Sequence, residues 1–171
     1  MLDPTDRSTR EGEKIMTVES TGFKGSDVLS ADLQKVLTDV TALSLVGKQL
    51  HWNIVGQGFR SLHLYLDEVV AIAREASDEV AERMRAIQLT PDGRPSVVAQ
   101  ETSLPKVAEG VVSTEEGAAQ AVAAINATVA TMRDVHEKVD GEDPTSGDIL
   151  VDYIGRLEQQ AWFIRSLNEK A

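Results

Sequence analysis

Apolar residues recur every three or four positions through four long stretches of this chain, a spacing that predicts four amphipathic helices. The first stripe carries Leu29, Leu33, Val36, Leu37, Val40, Leu43, Val46, Leu50 and Ile54, and it stops where Gly56 and Gly58 fall close together. The second carries Leu62, Leu66, Val69, Ala73, Val80, Met84 and Ile87, and runs out at the turn signal Pro91–Asp92–Gly93–Arg94–Pro95. A long connection follows, with room for about two turns of helix in SVVAQETSL. Ser113 and Glu116 then form the pattern of a capping box ahead of the third stripe, Val122, Ile125, Val129, Met132, His136 and Val139. GEDPTSGD breaks that helix, Thr145 and Asp148 resemble a second capping box, and the last stripe is Leu150, Tyr153, Leu157, Ala161, Ile164 and Leu167.

Short first and third connections with a long middle one predict an all-α, ferritin-like four-helix bundle, with a long crossover between helices two and three that carries a short extra helix. A plain up-down bundle would not need so long a middle connection. Residues 1–25 mix charge, Thr, Ser and Gly without any period, and read as a mobile N-terminal tail ahead of one domain over 26–171.

Composition narrows the function classes. The chain has no cysteine, which excludes disulfides, thiolate metal sites and cysteine nucleophiles. No apolar run is long enough to span a bilayer and the N-terminus lacks an apolar signal core, so a soluble cytoplasmic protein is expected. The formal net charge of −11 disfavours nucleic acid and anionic lipid as partners, and favours cations.

The candidate chemistry lies on the second helix. His63, Asp67, Asp78 and Glu82 fall at roughly 0°, 40°, 60° and 100° around its axis, while its apolar stripe centres near −90°. The four ligand-type side chains therefore share an outward face. His63 and Asp78 are roughly 22 Å apart along the helix, too far to hold one ion within a single chain. A second copy packed antiparallel about a two-fold axis near Ile72 and Ala73, with Ala71 and Ala73 allowing close approach, would set His63 and Asp67 opposite its Asp78 and Glu82. His51 precedes this set by twelve positions, and mixed imidazole and carboxylate donors suit ferrous iron, zinc or manganese.

The whole pattern is H-x11-H-x3-D-x10-D-x3-E. The stretch KQLHWNIVGQGFRSLHLYLDEVVAIAREASDEVAER that contains it resembles the ferroxidase region of Dps, the DNA-binding proteins from starved cells. The likeness continues to LEQQAWFIRSL near the C-terminus. It implies a homo-oligomer, a dodecameric shell with iron sites at its two-fold interfaces. His51, His63 and Asp67 would come from one subunit, and Asp78 and Glu82 from its neighbour. It also implies the activity: a ferroxidase and iron-storage protein that oxidises Fe(II), preferentially with hydrogen peroxide, and collects ferric oxyhydroxide inside. Trp52 matches a tryptophan beside the family's site, with either packing at the dimer interface or quenching of stray oxidising equivalents as its role. Asp143, Asp148 and Asp152 fall in the region that forms acidic three-fold pores, although helix capping also accounts for Asp148.

Larger ferritins use Glu-x-x-His pairs inside each bundle. Here Arg133 stands three before His136, and that histidine reads as a packed residue near a helix C-terminus. DNA binding, as a nucleoid-associated protective shell, is the alternative function. The tail's Arg7, Arg10, Lys14 and Lys24 are offset by Asp3, Asp6, Glu11, Glu13 and Glu19, which predicts weak binding at physiological salt.

Overall fold

The computed structural model describes residues 22–169. The tail expected over 1–25 lies outside the described residues except for its last four. These run against the end of the second long helix, where the Gly25 N–H donates to the Ile87 carbonyl at 3.0 Å. The elements in chain order are α1 (Asp27–Asn53), β1 (Ile54–Val55), α2 (Phe59–Ala86), α3 (Pro95–Glu101), β2 (Val112–Ser113), α4 (Thr114–Glu142) and α5 (Pro144–Ser166).

The four long helices close into a ring: α1 packs on α2 and α4, and α5 packs on α4 and α2. This is the all-α ferritin-like bundle that the hydrophobic period predicts. Ser26 starts α1 by accepting the Leu29 N–H at 3.1 Å, and Ser113 starts α4 by accepting the Glu116 N–H at 3.1 Å. The short helix expected in the crossover is α3, opened by Pro95 at its first position. Leu29, Leu33, Val36, Leu43 and Leu50 of α1 meet Leu62, Leu66, Val80 and Met84 of α2 and Leu150, Tyr153, Leu157 and Ile164 of α5 in one core. In α4 the buried face is built on small residues, Ala118, Ala121 and Ala124 with Ile125, Val129 and Met132, whereas Val122 and His136 are only half-buried.

Polar side chains set the register between elements. Along the α2–α5 seam the Tyr153 hydroxyl donates to Glu79 at 2.6 Å, Arg156 donates to Glu75 at 2.6 Å, and the Gln160 amide donates to Glu68 at 3.0 Å. The crossover is tied to α1 by Asp39, which is 2% exposed. Its carboxylate accepts from the Thr102 hydroxyl at 2.9 Å, the Ser103 N–H at 2.8 Å, the Ser103 hydroxyl at 2.6 Å and the Thr131 hydroxyl at 2.6 Å.

Two local expectations are corrected. No second capping box forms at Thr145 and Asp148, because α5 starts at Pro144 with Asp143 as its N-cap, which places Thr145 inside the first turn. Ile54, the last residue of the first apolar stripe, lies outside α1 as its C-cap, with its N–H donating to the Leu50 carbonyl. It forms a two-residue parallel pair with the end of the crossover, Ile54 opposite Val112 and Val55 opposite Ser113.

Asp143 is the one residue between α4 and α5, and its carboxylate is buried. Arg83 reaches it from α2 with Nη2 at 2.7 Å and Nε at 3.0 Å, and the Ser146 hydroxyl also donates to it. Burial pushes the Asp143 carboxyl up, but the bonds from Arg83 and Ser146 outweigh it and hold the group below its ordinary value. A depressed carboxyl gives stability that is complete above its unfolded value and is lost as pH falls through the folded one. The wild-type thermal midpoint is therefore expected to drop as pH falls below about 4. Asp143→Asn is expected to be less stable at pH 7 and to fall less steeply in that acid window, which thermal melts across the range check.

Candidate metal centre

The end of α1 and the start of α2 are joined by a short turn whose glycines, Gly56 and Gly58, have φ values of 120° and 79° that side-chain-bearing residues rarely adopt. The turn is held from outside. The Thr114 hydroxyl donates to the Gln57 carbonyl at 2.7 Å, and Gly117 lets α4 come so near that a Cβ there would stand 2.5 Å from Ile54 Cγ2. The crossover's end and the start of α4 thus brace the loop that brings His51 beside His63.

The two imidazoles stack at 3.6 Å between centroids, with their planes 23° apart. His51 Nδ1 lies 3.1 Å from the His63 carbonyl, and His63 Nδ1 lies 3.1 Å from the His51 carbonyl. A carbonyl can only accept, so these bonds assign the proton of each neutral ring to Nδ1 and leave the lone pair on Nε2. Each ring is oriented by a backbone partner of the kind that positions ligating histidines, and His51 Nδ1 also stands 3.3 Å from Asp67 Oδ1.

Asp67 follows His63 by one turn. Donor atoms of His51, His63 and Asp67 all lie within 4.8 Å of one another, and no other group of metal-type donors is found among the described residues. His51 is buried, while His63 and Asp67 are half-buried, so the cluster opens to one side. A fourth residue, absent from the sequence-based set, is also here. Lys48 Nζ lies 2.5 Å from Asp67 Oδ1. The Asp67 carboxyl is held below its ordinary value chiefly by that bond, partial burial opposes it, and the Lys48 charge adds to the lowering, as either imidazole would if protonated. Lys48 precedes His51 by three positions and so shares its helix face, which was the signal available in the sequence.

Asp78 and Glu82 are exposed further along α2. Asp78 lies roughly 16 Å beyond Asp67 along the helix, and the chain by itself does not bring these carboxylates to the cluster. The midpoint of the outward face needs correction: Ile72 and Ala73 are buried in their own bundle, and Ala71 and Arg74 are the exposed residues there. Large apolar side chains stand open beside the cluster, Leu45 at 62%, Trp52 at 68% and Leu64 at 45% exposure. Such a patch next to a half-built donor set has the character of a contact surface.

Of the three aspartates assigned to a pore, Asp143 is corrected by its burial and its pairing with Arg83. Asp148 and Asp152 are exposed one turn apart on α5, and Asp152 lies 3.3 Å from Arg156 of the same helix. His136 is half-buried toward the end of α4. Helix α4 continues to Glu142, and His136 lines a surface groove with Arg133, Val151, Ile154, Gly155 and Glu158. No helix among the described residues is long and apolar enough to cross a membrane.

Residues 30–171 match the family model of the ferritin-like domain. A DNA protection during starvation protein of Mycolicibacterium smegmatis is 32% identical over 148 residues, covering 86% of this chain and 80% of that protein. The structure of Dps from Microbacterium arborescens in its high iron form is similar at a TM-score of 0.78 and 30% identity, over 86% of this chain and 100% of the other. The tetragonal form of Mycobacterium smegmatis Dps is similar at a TM-score of 0.82 and 28% identity, over 91% of this chain and 96% of the other.

Proposed function

This chain belongs to the ferritin-like family and, within it, to the Dps proteins, and on that premise we propose that it is a ferroxidase and iron-storage protein whose metal site is shared between two subunits. The observation that carries the reading is the His51, His63 and Asp67 cluster, with both imidazoles oriented by backbone carbonyls and the donor set open on one side. A second copy across a two-fold axis would supply Asp78 and Glu82. The completed set has two neutral imidazoles and three carboxylates, a donor mixture that accepts ferrous iron and favours the more highly charged ferric product.

Iron is the substrate and hydrogen peroxide the oxidant. Two ferrous ions give one electron each to one peroxide, its O–O bond breaks, and hydrolysis yields ferric oxyhydroxide with release of protons. Pairing the two electrons on one peroxide avoids the one-electron route to hydroxyl radical. Trp52, exposed in the single chain, would stand at the subunit contact beside this chemistry. There it packs across the interface and is placed to take up stray oxidising equivalents.

The assembly we propose, on the likeness to Dps proteins, is a dodecameric shell. The exposed Leu45, Trp52 and Leu64 would serve the two-fold contact, and Val151 and Trp162 are further exposed apolar side chains on α5. Closed symmetry with more than one kind of contact would allow both sets to be covered. Asp148 and Asp152 would line the acidic entry for iron. DNA contact is a lesser activity in this account: the net charge of −11 opposes it, and protection by removing iron and peroxide needs no contact with DNA. A mobility shift that vanishes at moderate salt fits this view, and a tight complex at physiological salt would favour the nucleoid reading.

The direct test is size exclusion with light scattering, followed by anaerobic loading of Fe(II) and addition of peroxide. Rapid ferric absorbance in a shell-sized fraction supports the proposal, and oxidation no faster than in buffer rejects it. Lys48 gives a further expectation. Its ammonium competes with an incoming cation for Asp67, in a partly exposed pair worth about 1 kcal/mol or less. Lys48→Met is expected to tighten zinc or cobalt binding by up to about fivefold, measured by calorimetric titration.

A further inference from the structure

We propose that Phe59 is a positioning residue for the metal site, closing a three-ring stack of Phe59, His63 and His51 that fixes the orientation of the His63 imidazole. The inference rests on the reading of His51, His63 and Asp67 as metal ligands. Phe59 opens α2 and stands one turn before His63, so the two side chains share a helix face. Its ring lies 4.9 Å from the His63 ring with the planes 33° apart, while His51 stacks on His63 at 3.6 Å. Two rings cannot occupy one face of an imidazole at these distances and tilts, so His63 is held between them.

The hydrogen bond from His63 Nδ1 to the His51 carbonyl fixes one point of the ring and leaves it free to rock about that bond. Contact on both faces removes the rocking, and with it the loss of order that metal binding would otherwise require. Core packing does not account for this phenylalanine, which is 42% exposed and outside the buried core. Its contact with His63 is what the site gains. Hydrogen-bonded outer partners of ligands are worth about 10- to 100-fold in metal affinity, and a ring contact that orients the same ligand is expected at the lower end of that range.

The test compares the full-length wild type with Phe59→Leu, which keeps apolar bulk without a ring, Phe59→Tyr, which keeps the ring, and His63→Ala. Co(II) is the probe, titrated anaerobically, with affinity and the ligand-field spectrum as readouts and thermal midpoints as the check on folding. Phe59→Leu is expected to bind Co(II) about tenfold more weakly with an altered spectrum, and Phe59→Tyr to restore both, with all midpoints close to wild type. Wild-type affinity and spectrum in Phe59→Leu would overturn the inference, as would a Tyr variant no better than the Leu one. If His63→Ala binds Co(II) as the wild type does, the metal-site reading itself fails and the inference falls with it.

Discussion

Replacing both His51 and His63 with alanine is expected to abolish rapid oxidation of ferrous iron by peroxide while leaving the assembly intact. The two imidazoles are two of the three donors that one chain contributes, and both carry the free lone pair on Nε2 by virtue of their reciprocal bonds. Removing only an outer partner of a ligand commonly costs about 10- to 100-fold in metal affinity, so losing two ligands should cost more than about 100-fold. The structural cost is smaller. Two hydrogen bonds to carbonyls disappear, at about 1 kcal/mol each, and the exposed Leu45, Trp52 and Leu64 beside the site are untouched. Ferric absorbance after peroxide addition, read beside a light-scattering mass, separates the two effects. A disassembled variant would show that the histidines act on structure first.

The second large effect is expected at Asp39, far from the metal donors. Asp39→Ala should destabilise the protein by about 2–3 kcal/mol, because three hydroxyls and one backbone N–H lose their buried acceptor and only those at the exposed Ser103 can turn to water. Those donors come from the crossover and from α4, so the loss frees the long connection as well as weakening the core. Asp39→Asn retains the shape and one acceptor oxygen, and should lose roughly half as much. Urea unfolding measures both, with an unchanged slope confirming that stability rather than compactness has changed. In the sequence Asp39 looks like one more surface acid on an amphipathic helix. Its burial follows from where the crossover lies, which no periodicity within α1 reveals.

That contrast recurs along the chain. Helices α1, α2 and α5 follow from their apolar spacing, because a period near 3.6 states which face must leave water. The outward face of His63, Asp67, Asp78 and Glu82 is legible for the same reason, since a helix fixes the angles among its own side chains. Features that depend on two distant segments meeting are not legible. The pairing of Ile54 with Val112 is two residues long, too short for an alternating pattern. Asp143 reads as a free acid until Arg83 arrives from α2. Lys48 reads as a surface cation until the turn at Gly56–Gly58 sets Asp67 against it. The midpoint between Asp67 and Asp78 falls at the height of Ile72 and Ala73 along α2, but those side chains face the core, and Ala71 and Arg74 are the exposed residues there.

The central claim is that one site is built by two chains, and mixing defective subunits tests it most directly. One variant carries His51→Ala and His63→Ala, the other Asp78→Ala and Glu82→Ala, and each alone should be inactive. Unfolded together and reassembled at random, half of the two-fold pairs are mixed. Each mixed pair has one complete site and one empty one, so activity should return to about one quarter of wild type. A mixture as inactive as its parents, in assemblies shown by mass to contain both chains, would contradict the account.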